Sequence, residues 1–202
     1  KYIGGKMNNI RNIALVGASG AGKTSLVEQM LFNSKVINRV GKVEDGNTVM
    51  DFGAEEIEKG MSMTLGISGL TRKNNRINII DTPGYADFAG EQISASKAVE
   101  TLLFVANVSA GFEVSFEQSL ELLNETKLAK GIILNRMDNE GADFTKALEL
   151  IKENTDINPV PVFLPVGSEH RFSGVVDIVK NKAFIEGKEA DIPADMADLV
   201  EE

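Results

Sequence analysis

Several kinds of residue are missing or scarce in this 202-residue chain, and each absence excludes a class of site. The chain has no cysteine, which excludes disulfide scaffolds, cysteine-ligated metals and thiol catalysis. Its one histidine, His170, lies outside every motif below and is expected to be a surface turn residue without a catalytic role. No apolar run reaches the roughly 18 residues of a membrane span, and residues 1–12 lack the apolar core of a signal peptide. We therefore expect a cytoplasmic protein without a membrane partner.

Acidic residues outnumber basic residues, since the chain has 30 Asp and Glu and 21 Lys and Arg, and its net charge is -9. This balance argues against nucleic-acid binding through a basic face of the chain, so no direct DNA binding is expected, and any RNA contact would be local or made by other segments. Hydrophobic residues make up 43% and charged residues 25%, as in ordinary globular proteins. The length suffices for one well-buried domain, or for one domain and the beginning of another.

Apolar runs of strand length alternate with stretches of helical periodicity. The runs that predict strands are 12–17, 76–81, 101–108 and 131–135, and the stretches that predict helices are 23–32, 91–100, 116–129 and 143–154. Near-continuous apolar strands alternating with amphipathic helices indicate an α/β fold with a mostly parallel sheet covered on both faces. Ligands bind such sheets at the carboxyl ends of the strands, which is where polar residues punctuate this chain.

Two stretches depart from this alternation. Residues 33–65 are rich in glycine and acidic side chains. Because connections of that length are usually functional or mobile, we expect this segment to become ordered only when its function requires it. After Asn158 the sequence alternates with period two and contains several Gly and Pro, which favours a small β-rich piece. We therefore predict one domain over residues 1–157 and the beginning of a second over residues 158–202.

The stretch "GASGAGKT", Gly17–Thr24, fits the phosphate-binding pattern G-x-x-x-x-G-K-[ST] and joins a predicted strand to a predicted helix, as that motif requires. Glycines let backbone N–H groups turn toward phosphate oxygens, and the helix N-terminus adds partial positive charge. Lys23 is expected to reach the β- and γ-phosphates, and the Thr24 hydroxyl to bind Mg²⁺. The predicted nucleotide contacts are Ser19, Gly20, Ala21, Gly22, Lys23, Thr24 and Ser25.

The stretch "RINIIDTPG" runs apolar to Ile80, stops on Asp81 and turns through Pro83 and Gly84. A carboxylate at the tip of a strand beside a phosphate loop can hold the Mg²⁺ shell, so Asp81 is predicted to bind the metal. Gly84 would bring a backbone N–H close to the γ-phosphate, where a side chain would obstruct. An Asp followed by Pro-Gly can also be only a turn, but the phosphate loop upstream favours the metal site.

The letters "NRMD", Asn135–Asp138, end the last predicted strand and resemble the N-K-x-D element of GTP-binding proteins. A carboxylate accepts both the N1–H and the exocyclic amine of guanine, and adenine has no such donor pair, so Asp138 would select the base. Asn135 would bind the base edge and brace the loop. Arg136 stands in place of the usual Lys, and its flat guanidinium could still stack over the base.

In this order the motifs resemble the N-terminal G domain of a translational GTPase, specifically elongation factor G and its elongation-factor-G-like paralogues. The segments "DGNTVMDF", "EKGMSM", "NPVPVFLPVG" and "FSGVVDIV" also follow the family's order, so the resemblance covers nearly the whole chain from Ile10. It implies a P-loop NTPase of the Ras-like kind, followed from Asn158 by the start of the β-rich subdomain that elongation factor G inserts. It also implies a G domain lacking its final strand and helix, with the last guanine-backing motif beyond Glu202.

The tail admits another assignment. The stretch "PVGSE", Pro165–Glu169, follows Asp138 at about the distance at which a minimal G domain would place its final strand and guanine-backing loop. The continuation "FSGVVDIV" matches the pattern of the inserted subdomain closely and favours the insert.

The resemblance also assigns two switches. Gly46–Thr64 would be switch I, with Ser62 in the place of the family's Mg²⁺-binding threonine, and a serine hydroxyl can do the same. Asp81–Glu91 would be switch II. The acidic run is expected to be a solvated helix face and comprises Glu55, Glu56 and Glu58.

Two positions depart from the well-known elongation factors. Their switch II carries a histidine that positions the attacking water where this chain has Tyr85, and their phosphate loop carries an aspartate, implicated in monovalent-cation binding and transition-state stabilisation, where it has Gly20. Both changes affect hydrolysis and leave nucleotide binding intact. A phenol is a poor base at neutral pH but can hold a water by hydrogen bonding. We hypothesise that Tyr85 makes hydrolysis slow or differently triggered; the alternative is that it only packs against the switch.

The sequence thus indicates a domain that binds GTP or GDP and hydrolyses GTP with Mg²⁺, in an elongation-factor-G-like protein acting on the ribosome through its longer chain. Lys23, Gly84 and Tyr85 would carry the catalysis. One alternative is a nucleotide-gated binding module with negligible intrinsic hydrolysis, because Tyr85 and Gly20 replace the usual His and Asp. Another, a P-loop ATPase or kinase, is disfavoured by Asp138.

Overall fold

The computed structural model of the chain describes residues 9–110, 126–155 and 158–201. The described residues divide into two compact units, one formed by 9–107 with 126–135 and the other by 108–110 with the described residues from 136 onward. Within these described ranges, no helix is both long enough and apolar enough to cross a membrane.

A five-stranded sheet with the order β2-β3-β1-β4-β5 is the centre of the first unit. Its strands are β1 Asn9–Val16, β2 Gly66–Arg72, β3 Asn75–Asp81, β4 Thr101–Asn107 and β5 Ala129–Asn135. Four of them run parallel, since β1 pairs in parallel with β3 and β4, and β4 with β5, while β2 is an antiparallel edge. The predicted α/β class with a mostly parallel sheet is confirmed, and each of the four predicted strands lies within two or three residues of an observed one.

Helices of the first unit follow the loops at the carboxyl edge of the sheet. They are α1 Lys23–Asn33, α2 Ala54–Lys59 and α3 Ala89–Ser96, the last preceded by a 3-10 turn at Ala86–Phe88. One apolar face of α1 packs against the sheet through Val27 and Leu31, both fully buried with Leu15 and Ile79. The helix predicted over 116–129 falls largely outside the described residues.

Strand β2 is the element that the sequence pattern does not single out. Gly66, Ser68 and Gly69 interrupt the apolar alternation that marks a strand. The strand forms because a tight turn folds it back on β3, where all seven of its residues pair. Lys73 and Asn74 have φ of 47° and 65°, and positive φ at both central residues is what a type I′ hairpin turn requires.

The segment between α1 and β2 is held against the rest of the first unit by hydrogen bonds and by a buried side chain. Glu28 of α1 is buried, and its carboxylate accepts hydrogen bonds from Gly41 N at 2.8 Å and from Val49 N at 2.6 Å. Gly41 has no room for a side chain, because a Cβ would lie 2.5 Å from Asn47 O. Met50 is buried in the same core as Leu31. The closed loop 41–49 is therefore held at both ends by one side chain.

The second unit contains an antiparallel sheet in the order β6-β7-β8-β9. Its elements are α4 Phe144–Asn154, β6 Phe163–Val166, β7 Gly174–Asp177, β8 Lys182–Ile185, β9 Lys188–Ala190 and α5 Ala197–Glu201. The β-rich piece predicted after Asn158 is confirmed. Strand β6 pairs with β7 and not with the central sheet, so "PVGSE" is not the final strand of the first sheet. His170 is exposed in a 3-10 turn, as predicted.

Candidate functional site

The phosphate loop joins β1 to α1, and two of its glycines are required by close contacts. Gly17 has a φ of +135°, and a Cβ there would lie 2.3 Å from Val105 O. Gly22 has a φ of +96°, and its Cβ would lie 2.4 Å from Asn135 Nδ2. Lys23 is buried, and its Nζ donates to the carbonyls of Gly17 and Ala18 at 2.9 Å each. The ammonium group therefore lies inside the loop that it would serve.

Three side-chain oxygens from distant parts of the first unit meet beside this loop. Thr24 Oγ1 donates to Asp81 Oδ2 at 2.7 Å, and it lies 3.3 Å from Ser62 Oγ. Thr24 begins α1 directly after the loop, Asp81 ends β3, and Ser62 lies in the segment that leads into β2. The structure thus brings together the three residues that were predicted as metal ligands.

Two carboxylate oxygens near this group lack a partner. Asp81 Oδ1 and Asp51 Oδ2 are buried and accept no hydrogen bond. Burial raises the pKa of Asp81 to about 6, against the opposing effects of the Thr24 hydroxyl and the Lys23 charge. Burial likewise raises the pKa of Asp51, and burial lowers the pKa of Lys23 to about 8 although both carboxylates oppose it. Each group is thus held where its charged form is poorly solvated.

These residues fit a Mg²⁺ ion. Mg²⁺ takes oxygen ligands, keeps several waters and is usually held by one or two carboxylates together with substrate phosphates. The hydroxyls of Thr24 and Ser62 and the unpartnered oxygens of Asp81 and Asp51 supply such a set. Among the described residues, no group of three or more His, Cys, Asp or Glu is placed to hold a metal ion.

Asp51 is a candidate that the sequence reasoning missed. It lies in the segment "DGNTVMDF", directly after the buried Met50, and its backbone N–H donates to Thr48 Oγ1 at 3.2 Å. Two apolar residues, Val49 and Met50, followed by an aspartate inside a stretch otherwise predicted to be a loop were the available signal. The charge of Asp51 acts on both Lys23 and Asp81, which places it electrostatically within the same group.

Gly84 lies against the phosphate loop. Its carbonyl accepts a hydrogen bond from Ser19 N at 3.1 Å. A Cβ on Gly84 would lie 2.4 Å from Ser19 N and 2.6 Å from Lys23 Nζ. A side chain at this position would collide with the backbone of the phosphate loop and with the ammonium group, so the fold itself requires a glycine here. The approach of the Gly84 N–H to a γ-phosphate stays a prediction.

The two departures from the family pattern lie on the exposed side of the site. Tyr85 follows Gly84 and is 45% exposed. Gly20 has a φ of +73°, and a Cβ there would have no atom within 4 Å. Ser19 and Ser25 are exposed as well. The position of Gly20 therefore has room for a side chain.

The first residue of "NRMD" contacts the phosphate loop within the first unit. Asn135 ends β5, and its Nδ2 donates to Ala21 O at 2.8 Å. The same amide group packs on Gly22, so Asn135 supports the phosphate loop through two neighbouring residues. This is the bracing contact that the sequence predicted for it.

The remaining residues of "NRMD" form a turn in the second unit. Arg136 has a φ of 61° and is exposed, as is Asp138. Glu169 holds this turn, since its N–H donates to Met137 O at 2.8 Å and its Oε1 accepts from Gly141 N at 2.8 Å. The side chain of Asp138 is therefore presented by a turn with a fixed backbone.

One correction concerns the acidic run of α2. Glu55 and Glu58 are exposed as expected, but Glu56 is only 4% exposed, so the prediction of a wholly solvated face is wrong for this residue. Its carboxylate accepts hydrogen bonds from the backbone at both ends of the segment 53–64. A helical repeat predicts which side chains share a face, and it does not predict which of them a following loop will cover.

Comparison with known proteins places this geometry in a family. The sequence pattern of the family described as "Elongation factor Tu GTP binding domain" matches residues 8–194. The chain belongs to this family. It carries the G-domain fold, with the second antiparallel sheet following, and it is an elongation-factor-G-like GTP-binding domain.

Two relatives show the extent of the likeness. The chain is 36% identical to an elongation factor G from Granulibacter bethesdensis over 97% of this chain and 29% of that protein. A crystal structure of a Thermus thermophilus protein matches with a TM-score of 0.86 and 29% identity, over 95% of this chain and 29% of that one. The chain therefore spans less than a third of the length of either relative.

Proposed function

We propose that this chain binds GTP and hydrolyses it with Mg²⁺, as the nucleotide-binding part of a cytoplasmic translation factor whose longer chain acts on the ribosome. The observation that supports this most directly is the meeting of Thr24, Ser62 and Asp81 beside the buried Lys23. We further propose that residues 1–157 belong to the G domain and residues 158–202 to the inserted subdomain.

Thr24, Ser62 and Asp81 would hold the metal, and Asp51 would hold water in its shell. When bound, Mg²⁺ neutralises charge on the phosphate oxygens. Lys23 would exchange its two carbonyl partners for the β- and γ-phosphates, and its burial strengthens that attraction because the local dielectric is low. Rate enhancement in phosphoryl transfer comes mostly from such positioning and charge stabilisation.

Gly84 and Tyr85 would act on the γ-phosphate side. The close approach of Gly84 to Ser19 and Lys23 leaves room for a phosphate oxygen only if switch II moves slightly, and its N–H would then donate to that oxygen. The phenol of Tyr85 would hold the attacking water by a hydrogen bond. Since a phenol removes a proton poorly at neutral pH, the intrinsic rate of hydrolysis would be low.

Guanine selection is assigned to the "NRMD" residues. Asp138 would accept from the N1–H and exocyclic amine of the base, Arg136 would stack over it, and Asn135 would bind its edge while bracing the loop. The proposal predicts that this chain prefers GDP and GTP to ATP by a wide margin.

A second candidate is a nucleotide-gated binding module, which is favoured by the exposed Tyr85 and the open position of Gly20. In such a module GTP orders the switches for a partner, and hydrolysis is negligible without help. Single-turnover hydrolysis by the chain, alone and with ribosomes, separates the two candidates. If the chain is a GTPase, we expect GDP and phosphate to form. If it is a binding module, we expect GTP-dependent association with a partner and recovery of intact GTP.

The first test is calorimetric titration with GDP, a non-hydrolysable GTP analogue and ATP, each with Mg²⁺. Guanine nucleotides should bind and ATP should not. Asp138→Asn should weaken GDP binding by at least about tenfold, because a carboxylate that accepts two base hydrogens becomes an amide that accepts one. Glu140→Gln, an exposed change of the same charge in the same turn, should leave the affinity unaltered. Equal affinity for ATP and GDP would contradict the role of Asp138.

A further inference from the structure

Glu56 has a buried carboxylate that the proposed function does not use. It projects from α2, whose other two glutamates, Glu55 and Glu58, are exposed. A buried glutamate is costly unless its carboxylate is hydrogen-bonded, so its partners explain why it is there.

Glu56 accepts hydrogen bonds from both ends of one segment. On one side Oε2 accepts from Gly53 N at 3.0 Å, which is the contact an N3 glutamate makes at many helix N-termini. On the other side Oε1 accepts from Met63 N at 2.9 Å, from Thr64 N at 3.0 Å and from Thr64 Oγ1 at 3.1 Å. The second set is not helix capping, because it joins the helix to the chain that follows it.

The path between these two ends is short and turns back sharply. Helix α2 ends at Lys59. The next residue, Gly60, has a φ of +61°, and Met61 N donates to Glu56 O at 3.1 Å. The next residue is Ser62, and the two residues after Ser62 are the ones that Glu56 holds. The position of Ser62 Oγ, 3.3 Å from Thr24 Oγ1, is therefore fixed from both sides by contacts to a single glutamate.

We propose that Glu56 is a positioning residue that holds switch I closed, so that Ser62 lies ready in the metal site and the triphosphate is favoured over the diphosphate. This inference rests on the proposed function, because it needs Ser62 to bind the Mg²⁺ that accompanies the nucleotide. Switch segments of GTPases are ordered by contacts to the γ-phosphate and its Mg²⁺. A segment that Glu56 already holds has less conformational entropy to lose when those contacts form, and that advantage applies to GTP and not to GDP.

Glu56→Gln tests the inference. The amide keeps one acceptor oxygen but presents a donating NH₂ where Glu56 now accepts, so Gly53 N or the Met63 and Thr64 amides lose their partner. Affinity for the non-hydrolysable GTP analogue with Mg²⁺ should fall by about tenfold or more, and affinity for GDP should change by less than about twofold. Glu55→Gln and Glu58→Gln make the same charge change on the same helix and should alter neither affinity.

A double-mutant cycle separates positioning from general stability. If Glu56 acts through Ser62, then Glu56→Gln combined with Ser62→Ala should weaken the GTP analogue no more than Ser62→Ala alone. Should Glu56→Gln fail to fold, Thr64→Val removes only one donor and should lower the ratio of GTP-analogue to GDP affinity in the same direction, more weakly. Additive losses in the cycle, an equal loss for GDP and the analogue, or equal effects of Glu55→Gln would overturn the inference.

The unaltered chain distinguishes this inference from the proposed function. If it binds neither guanine nucleotide, the proposed function fails and the inference fails with it. If it binds the GTP analogue in a Mg²⁺-dependent way and Glu56→Gln behaves as Glu55→Gln does, the proposed function stands and the inference alone is wrong.

Discussion

Thr24 and Asp81 are 57 residues apart in the chain, and Thr24 Oγ1 donates to Asp81 Oδ2 at 2.7 Å. The contact exists because β1 and β3 are adjacent parallel strands, in which Leu15 pairs with Asp81. The two strands therefore end together at the carboxyl edge of the sheet. The second oxygen of Asp81 is left without a partner, as expected of a carboxylate that serves a ligand.

Replacing Asp81 with Asn should remove the dependence of nucleotide binding on Mg²⁺. The amide supplies a weaker, neutral metal ligand, so the gain in GDP affinity on adding Mg²⁺ should fall by at least about tenfold. Asp87→Asn, an exposed change of the same charge in switch II, is the control. Titration with and without a chelator measures both. A full Mg²⁺ effect in Asp81→Asn would show that another residue holds the ion.

Gly20→Asp should be tolerated and should speed hydrolysis. The open space at this position accepts the side chain, and Asp adopts a positive φ more readily than most residues, so the free energy of unfolding should fall by less than about 1 kcal/mol. A carboxylate beside the phosphates would restore the group that the well-known elongation factors carry there. Single-turnover rates should rise, and Gly20→Asn provides the uncharged control with the same shape. Equal rates in both variants would mean that the charge has no effect.

Tyr85→His should also raise the rate of GTP turnover, by about tenfold or more, because imidazole accepts a proton near neutral pH and a phenol does not. Binding of GDP should be unchanged, since Tyr85 is exposed and does not belong to the phosphate loop. Tyr85→Phe, which keeps the ring and removes the hydroxyl, reports whether the phenol holds the water at all. No gain in Tyr85→His, with or without ribosomes, would favour a packing role for the tyrosine.

The fold could be predicted where each strand carried its own apolar signal. Strands β1, β3, β4 and β5 each contain an apolar run that is followed by a turn residue or a polar residue, and all four were predicted. Strand β2 could not be, because its stability comes from pairing with β3 and its own letters include two glycines and a serine. Pairing across a hairpin is a tertiary effect that overrides local propensity.

The residues of the candidate site also fall into those that the sequence predicted and those that it did not. Lys23, Thr24 and Asp81 lie in short motifs whose chemistry is legible from spacing, and Ser62 was reached through the family resemblance. Asp51 was missed, and Glu56 was wrongly predicted to be solvated, because neither lies in a motif whose spacing reveals its chemistry. Their roles depend on how the chain folds around them, since Asp51 is buried where its charge acts on Lys23, and Glu56 is buried under the chain that follows α2.

The stabilising effect of Glu56 should depend on pH. Burial raises the pKa of Glu56, but hydrogen bonds from Met63, Thr64 and Gly53 outweigh it and hold the pKa below its ordinary value of 4.5. A carboxyl whose pKa is lowered by folding stabilises the native state fully above 4.5 and loses that effect as pH falls through its folded pKa. Denaturant unfolding should therefore show a constant difference between the unaltered chain and Glu56→Gln near neutral pH that shrinks below pH 4.5. A difference that grew on acidification would have the wrong sign.

Glu28→Gln should loosen the loop 41–49 without unfolding the sheet. The buried carboxylate accepts from Gly41 N and Val49 N, and the amide can accept from only one of them, so the free energy of unfolding should fall by about 2 kcal/mol. Hydrogen exchange should accelerate at Gly41 or Val49 and remain slow at Ile79 in the core. Glu44→Gln, an exposed change in the same loop, should have neither effect. Because Val49 lies two residues before Asp51, a loosened loop should also weaken the Mg²⁺ dependence of nucleotide binding; unchanged exchange at both amides would mean that other contacts hold the loop.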